Sequence, residues 1–340
     1  MIDFRYHVVS LVSVFLALAV GIVLGAGPLN EGISTGITDQ VRQLTEEKNT
    51  LRTERDDALR TAEQQDAWAQ AVAPALVARQ LGGRSVAIVE LPGADSSQVD
   101  ATVDVLEAAG ASVSSRVTVQ DKWFDASSTA VADRRATAAG LSGQPAPTPT
   151  DDGGTDGSTD GASDGTGTAG VDALLATELA RSLVSTELAQ AGPPDQAAQT
   201  ALSTLVDAGL VEVSGGADSA AARGTLALLV GGAADTDATS AAQESTADAL
   251  TALARELDAA SAGAVLAGPV EAAADGGPVA VLRADGDLSA AVSSVDDLDS
   301  PIGQVNVVLA LRQQLSGGAG QYGTSDSATA VSPPLPAAAP

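Results

Sequence analysis

Three textures of hydrophobic patterning follow one another along the chain. From Val8 to Leu29 no residue carries a charge, and apolar side chains fall on every face of a helix drawn through them. At ~1.5 Å per residue the run reaches about 33 Å, close to the ~30 Å hydrocarbon core of a bilayer. Its only hydroxyls, Ser10 and Ser13, can bond back to the preceding turn of the same helix. The pattern predicts a transmembrane anchor over residues 1–30. A cleaved signal peptide and a buried core helix are the competing readings. The run exceeds the ~7–15 apolar residues of a signal peptide, and Pro28 follows Gly25-Ala26-Gly27, where cleavage would fall. A core helix would show a polar face. Arg5 and the amino terminus precede the run, whereas Arg42 and Lys48 come well after it, among Glu31, Asp39, Glu46 and Glu47. That asymmetry predicts a single-pass protein of the cell membrane, N-terminus cytoplasmic and bulk of the chain extracytoplasmic.

Next, apolar positions recur at alternating spacings of three and four. With Ile37, Leu44, Leu51 and Ala58 at d, positions a fall on Val41, Lys48, Arg55 and Ala62. The repeat lasts about four heptads and predicts a coiled coil over residues 31–71, with Thr38 capping its start. Its core would be Ile37, Val41, Leu44, Leu51, Ala58 and Ala62. A membrane anchor aligns two chains side by side, so a parallel homodimer is expected; a single solvated helix is the alternative, since Lys48 and Arg55 sit at a. Their long stems can snorkel outward from a dimer seam.

From Gly82 the period changes again. Short β-branched runs alternate with amphipathic stretches, predicting an α/β domain in two halves, residues 72–141 and 171–316. Strands are predicted at "RSVAIVEL", "ASVSSRVTV", "LVEV", "TLALLVGG", "GAVLAG" and "PVAVLRA". The first two flank a helix through "QVDATVDVLEAAG", capped by Ser96 or Ser97 and ended by Gly110. That is a strand–helix–strand unit of a parallel sheet. Further helices are expected near 171–190, 195–208, 240–260 and 302–315. The fold class is therefore α/β: a transmembrane helix, a coiled-coil helix, then a Rossmann-like domain. An acidic Gly/Asp/Thr segment at 142–170, nearly free of apolar side chains, predicts a disordered linker, and 317–340 a disordered tail.

Composition narrows the chemistry. The chain has no cysteine, which excludes disulfides, thiolate catalysis and thiolate metal sites. Its net charge of −27 repels nucleic acid and anionic lipid. Two motifs fall in the linker and carry little. Gly165 to Gly170 spells G-x-G-x-x-G with no strand before it, and the Asp-Gly pairs at Asp156, Asp160 and Asp164 lack the order of a calcium loop. Gly231 and Gly232 follow a strand, where open α/β sheets bind ligands, although a tight turn needs the same glycines. Asp-Asp pairs occur at 56–57, 151–152 and 296–297, none with a basic partner close in sequence by this reading. His7, the one histidine, lies at the membrane end. No nucleophile elbow, phosphate loop or zinc-protease motif occurs. The expectation is a protein that is not an enzyme, with no cofactor, no catalytic residue and no metal site.

Two stretches carry a resemblance: "MIDFRYHVVSLVSVFLALAVGIVLGAGPL" at the start and "SSVDDLDSPIGQVNVVLALRQQLSGGAGQYG" at 293–323. Together with the order anchor, coil, α/β domain and Gly-Gly-x-Gly-x-Tyr-Gly, they resemble the actinobacterial copper-transporter family. The resemblance implies copper homeostasis or export in the cell envelope; some members are proposed outer-membrane channels. Others are linked to daughter-cell separation through an envelope protein partner of the coiled coil. It implies no catalytic residues. A membrane β-barrel would need many ~10-residue alternating strands with aromatic girdles, against an aromatic content of 2%.

Overall fold

The computed structural model describes residues 4–25, 29–143, 168–188, 195–214 and 222–335. The chain divides into two compact units, Met1–Gln65 and Asp66–Pro340. In the first, helix α1 (Phe4–Gly25) has no buried residue and a mean hydropathy of 2.7 in its most apolar window. Ser13 donates its hydroxyl to the Val9 carbonyl at 2.8 Å, so even the polar position is satisfied within the helix. Helix α2 (Leu29–Val77) begins well before Thr38, which is therefore an interior residue and not the cap. No proline interrupts residues 29–38, and the two glycines there weaken a helix without ending it.

The second unit is built on one seven-stranded sheet. Its strands are β1 (Ser85–Glu90), β2 (Ser112–Val119), β3 (Val211–Val213), β4 (Leu226–Val230), β5 (Ala264–Ala267), β6 (Ser293–Val295) and β7 (Gln321–Tyr322), in the order β3-β2-β1-β4-β5-β6-β7. All neighbours are parallel except β3, which runs antiparallel to β2. The helices are α3 (Ser96–Ala108), α4 (Asp121–Phe124), α5 (Ser128–Ser142), α6 (Thr168–Leu183), α7 (Gln196–Asp207), α8 (Ser240–Ala260), α9 (Pro278–Ala284), α10 (Gly286–Ala291) and α11 (Pro301–Gln314).

Parallel strands need crossovers, and the crossovers cover both faces. On one face Ala87, Val89, Ala227, Leu229, Ala264 and Leu266 meet helices α4 to α10. On the other, Val86, Ile88, Leu226, Leu228, Val230 and Val265 meet the end of α2, α3 and α11. Every residue of β4 is buried, which explains its uninterrupted apolar run. Each of its leucines contributes about 1.5–3 kcal/mol by leaving water.

The predicted strands at 84–91, 111–119, 210–213, 225–232 and 263–268 each contain an observed strand, and the helix predicted at 240–260 matches α8. The predicted strand "PVAVLRA" is instead helix α9. Gly277 precedes it, Pro278 sits at its first turn, and Val279 and Leu282, three apart, are the residues it buries. A seven-residue apolar run cannot be assigned by periodicity alone, and tertiary packing decided this one. Helix α3 is capped by Asp95, not by Ser96 or Ser97: its carboxylate accepts from the Ser97 and Gln98 amides at 2.8 and 3.3 Å. Strands β6 and β7 and helices α4, α5 and α10 were not anticipated. The tail expected from 317 is ordered as far as it is described: Thr329 and Ala330 amides donate to the Gln321 carbonyl at 2.8 and 3.3 Å. Of the predicted linker, residues 144–167 lie outside the described residues, as do its two motifs apart from Thr168, Ala169 and Gly170, which open α6.

Candidate functional site

The carboxyl ends of β1, β2, β4 and β5 open onto a cavity of about 400 Å³. The strand order reverses between β1 and β4, the place where open α/β sheets form a crevice. Leu91 and Pro92 line it just after β1, Phe124 from α4, and Leu250 and Val281 from α8 and α9. Its polar groups are Asp121, Asp125, Asp235, Gln243 and Thr246, and none of the described residues lining it is Lys or Arg. Hydrogen bonds from the Ser127 amide and hydroxyl hold Asp125 below the usual carboxylate range. Gly231 and Gly232, singled out from the sequence, stand behind this edge for a packing reason. A side chain on Gly231 would meet Pro278 Cγ at 2.5 Å, and one on Gly232 would meet the Gly93 carbonyl oxygen at 2.2 Å.

A second constellation centres on Arg283 and Asp296 and draws in residues up to Ser327; it was missed by sequence reasoning. Arg283 of α9 donates to Ser294 Oγ, Asp296 Oδ2, Ser325 Oγ and Ser327 Oγ at 2.7–2.8 Å and to the Tyr322 carbonyl at 2.9 Å. Asp296 Oδ1 accepts from the Thr324 and Ser325 amides at 2.6 and 3.1 Å. Gly323, at φ +130°, leaves room for that carboxylate, since a Cβ would lie 2.1 Å from it. Burial works to raise Asp296, but bonds from Ser325, Arg283 and Thr324 outweigh it and leave the group below its ordinary value. Its neighbour Asp297 is 4% exposed and its Oδ1 has no partner. Burial, together with the Asp296 charge, pushes it up to about 6.

The Asp-Asp reading needs correction here. Asp296 finds Arg283 thirteen residues upstream, carried back by α9 and β6. The pair at 56–57 has basic neighbours even in sequence: Arg55 meets Asp56 at 2.6 Å and Arg60 meets Asp57 at 2.5 Å. The pair at 151–152 lies outside the described residues. A third buried group is Arg134 of α5, whose Nε meets Asp172 of α6 at 3.2 Å with both side chains at most 2% exposed. The signal in sequence for all of these was a charged residue inside an otherwise apolar pattern, with no indication of its partner.

Of the predicted coil residues, Val41, Leu44, Leu51, Ala58 and Ala62 lie on α2 with exposed side chains, and the Ile37 side chain lies outside the described residues. The two leucines, Leu44 and Leu51, are 63% and 58% exposed. Among the described residues no three His, Cys, Asp or Glu side chains gather as a metal site.

A double-faced α/β sheet unit in one chain with a 22-residue apolar helix defines a membrane-associated α/β protein. The chain belongs to the MctB copper-transporter family: residues 1–333 match the family described as "Copper transport outer membrane protein, MctB". It is 30% identical over 338 residues to Copper transporter MctB of Mycobacterium tuberculosis (strain CDC 1551 / Oshkosh), covering 97% of this chain and 99% of that protein. Copper transporter MctB of Mycobacterium leprae (strain TN) is likewise 30% identical over 337 residues, covering 98% and 100%.

Proposed function

We propose that this chain is a single-pass envelope protein that serves copper homeostasis indirectly, through a partner, and without a metal site of its own. In this reading α1 is a retained anchor with its N-terminus in the cytoplasm, and the Rossmann-like domain works outside it. It is not an enzyme and uses no cofactor. Family membership and the relatives' names support the copper role. The ligand inventory supports the indirect part. Cu(I) prefers thiolate and thioether donors, and Cu(II) prefers imidazole with oxygen. The chain has no Cys, and its single Met and single His are Met1 and His7, both before the apolar run. A pore is disfavoured too: the described strands span two to eight residues, short of the ~9–11 of a membrane barrel. The test is a Cu(I) competition assay on the full chain in lipid nanodiscs. Binding no tighter than the buffer's is expected; a stoichiometric complex of sub-micromolar Kd would overturn the reading.

A second reading has its own support in α2. Val41, Leu44 and Leu51 form an exposed apolar seam on a 49-residue helix, which suits a parallel homodimer acting as a scaffold or regulator of cell separation through a protein partner. A deletion strain separates the two readings. Copper sensitivity with normal separation supports the first, and chained cells with normal copper tolerance the second.

A further inference from the structure

The cavity at the strand ends has walls, a mouth and a charge, and together they specify a ligand. We propose that it binds a small organic cation with an apolar body, an aromatic or alicyclic amine. Its volume of about 400 Å³ lies within the ~300–1,000 Å³ range of small-molecule sites. Leu91, Leu250 and Val281 give it apolar walls, and Phe124 adds an aromatic ring able to face a cation.

The polar groups decide the sign. Asp121, Asp125 and Asp235 contribute three carboxylates, and no lining residue is basic. Neither Asp121 nor Asp235 enters an ion pair among the described residues; Asp125 feels Arg134 but keeps its carboxylate on Ser127. A cation entering the mouth therefore meets uncompensated negative charge. An anion would be repelled in a chain whose net charge is already −27. The same facts exclude the dinucleotide that a sheet edge of this topology brings to mind. A phosphate site there needs free backbone amides on a glycine turn. The Gly231 amide instead donates to the Ala267 carbonyl at 2.8 Å, within the sheet.

The test uses the full chain in phosphatidylcholine nanodiscs with three probes of one shape: 1-naphthylmethylamine, 1-naphthalenemethanol and 1-naphthoic acid. Saturation-transfer NMR and calorimetry measure binding, and Ala242→Trp, which fills the cavity, corrects for partition into lipid. The amine should bind at least tenfold more tightly than the acid, and A242W should abolish the difference. The double change Asp121→Asn and Asp235→Asn should reduce the preference below threefold while the alcohol binds as before. Thr246→Lys, at the half-buried mouth, should lose the amine and favour the acid, and it decides the matter should A242W misfold by circular dichroism. Equal binding of acid and amine, amine binding that survives A242W or T246K, or no binding of any probe would each overturn the proposal.

Discussion

The buried pair of Arg134 and Asp172 should fail asymmetrically when either partner is removed. Arg134 Nη1 donates to the Lys122 and Asp125 carbonyls at 3.1 and 2.7 Å, its Nε meets Asp172, and its Nη2 has no partner. In Asp172→Ala the guanidinium loses the one carboxylate it meets in an ion pair among the described residues, and it cannot shed its proton. Such an orphaned buried cation costs about 3–5 kcal/mol, or a Tm lowered by roughly 10 °C in a unit of this size. Arg134→Met leaves a carboxylate instead, and a carboxylate can neutralise. Burial already holds Asp172 above its ordinary value, with Arg134 opposing; removing Arg134 raises it further. Because the folded pKa then exceeds the unfolded one, the R134M chain gains stability as pH falls through the raised folded value toward the unfolded value of ~3.9, by up to about 1.4 kcal/mol for each unit between the two. D172A has no such group and gains nothing by this route. Replacing both, R134M with Asp172→Leu, should cost less than D172A alone. Urea unfolding at pH 7 and pH 5 measures all four chains. If R134M is as damaging as D172A at pH 5, or if the double change equals the sum of the singles, the reasoning is wrong.

Asp297→Asn should stabilise the chain by about 2–3 kcal/mol at pH 7.5 and by little near pH 4. The charged form, disfavoured by burial up to a pKa of about 6, is relieved as pH falls through that value toward the unfolded value of ~3.9; the difference between the two urea midpoints reads it. Leu44→Asp with Leu51→Asp should turn a dimer into a monomer by light scattering while leaving the α/β unit's circular dichroism intact, because both side chains are exposed. Leu16→Asp in α1, costing about 3 kcal/mol of insertion free energy, should release part of the protein from membranes in carbonate extraction. Alkaline phosphatase fused after Trp68 should be active, and an inactive fusion would reverse the proposed orientation.

The sheet's interior was legible because β1, β4 and β5 are buried on both faces and so read as continuous apolar runs bounded by glycine. The short strands toward the β7 end of the sheet gave weaker signals. β6 is Ser293-Ser294-Val295, and its serines are tolerated inside only because Gln314, Gln321 and Arg283 supply hydrogen bonds from far along the chain. Helix α9 misled for the opposite reason, its run being apolar enough for either period. The cavity was half legible. Gly231 and Gly232 follow a strand that ends beside it, yet Asp121 and Phe124 reach it from α4 and Thr246 from α8, and no spacing rule connects them. The Asp296 node failed on a local assumption, that a carboxylate's partner should stand nearby in sequence.

The clasp around Arg283 also has a consequence for how the chain is made. Its guanidinium and the Asp296 carboxylate are buried at 6% and 0% exposure, yet five of their partners belong to residues 322–327. Those residues follow every described helix in chain order, so they leave the ribosome after the two charged groups they satisfy. Until they arrive, a cation and an anion wait in a nearly finished interior with hydrogen bonds unmade. A chain that lacks residues 322–327 is thus left with an unfilled polar centre, whatever else of the sheet has formed.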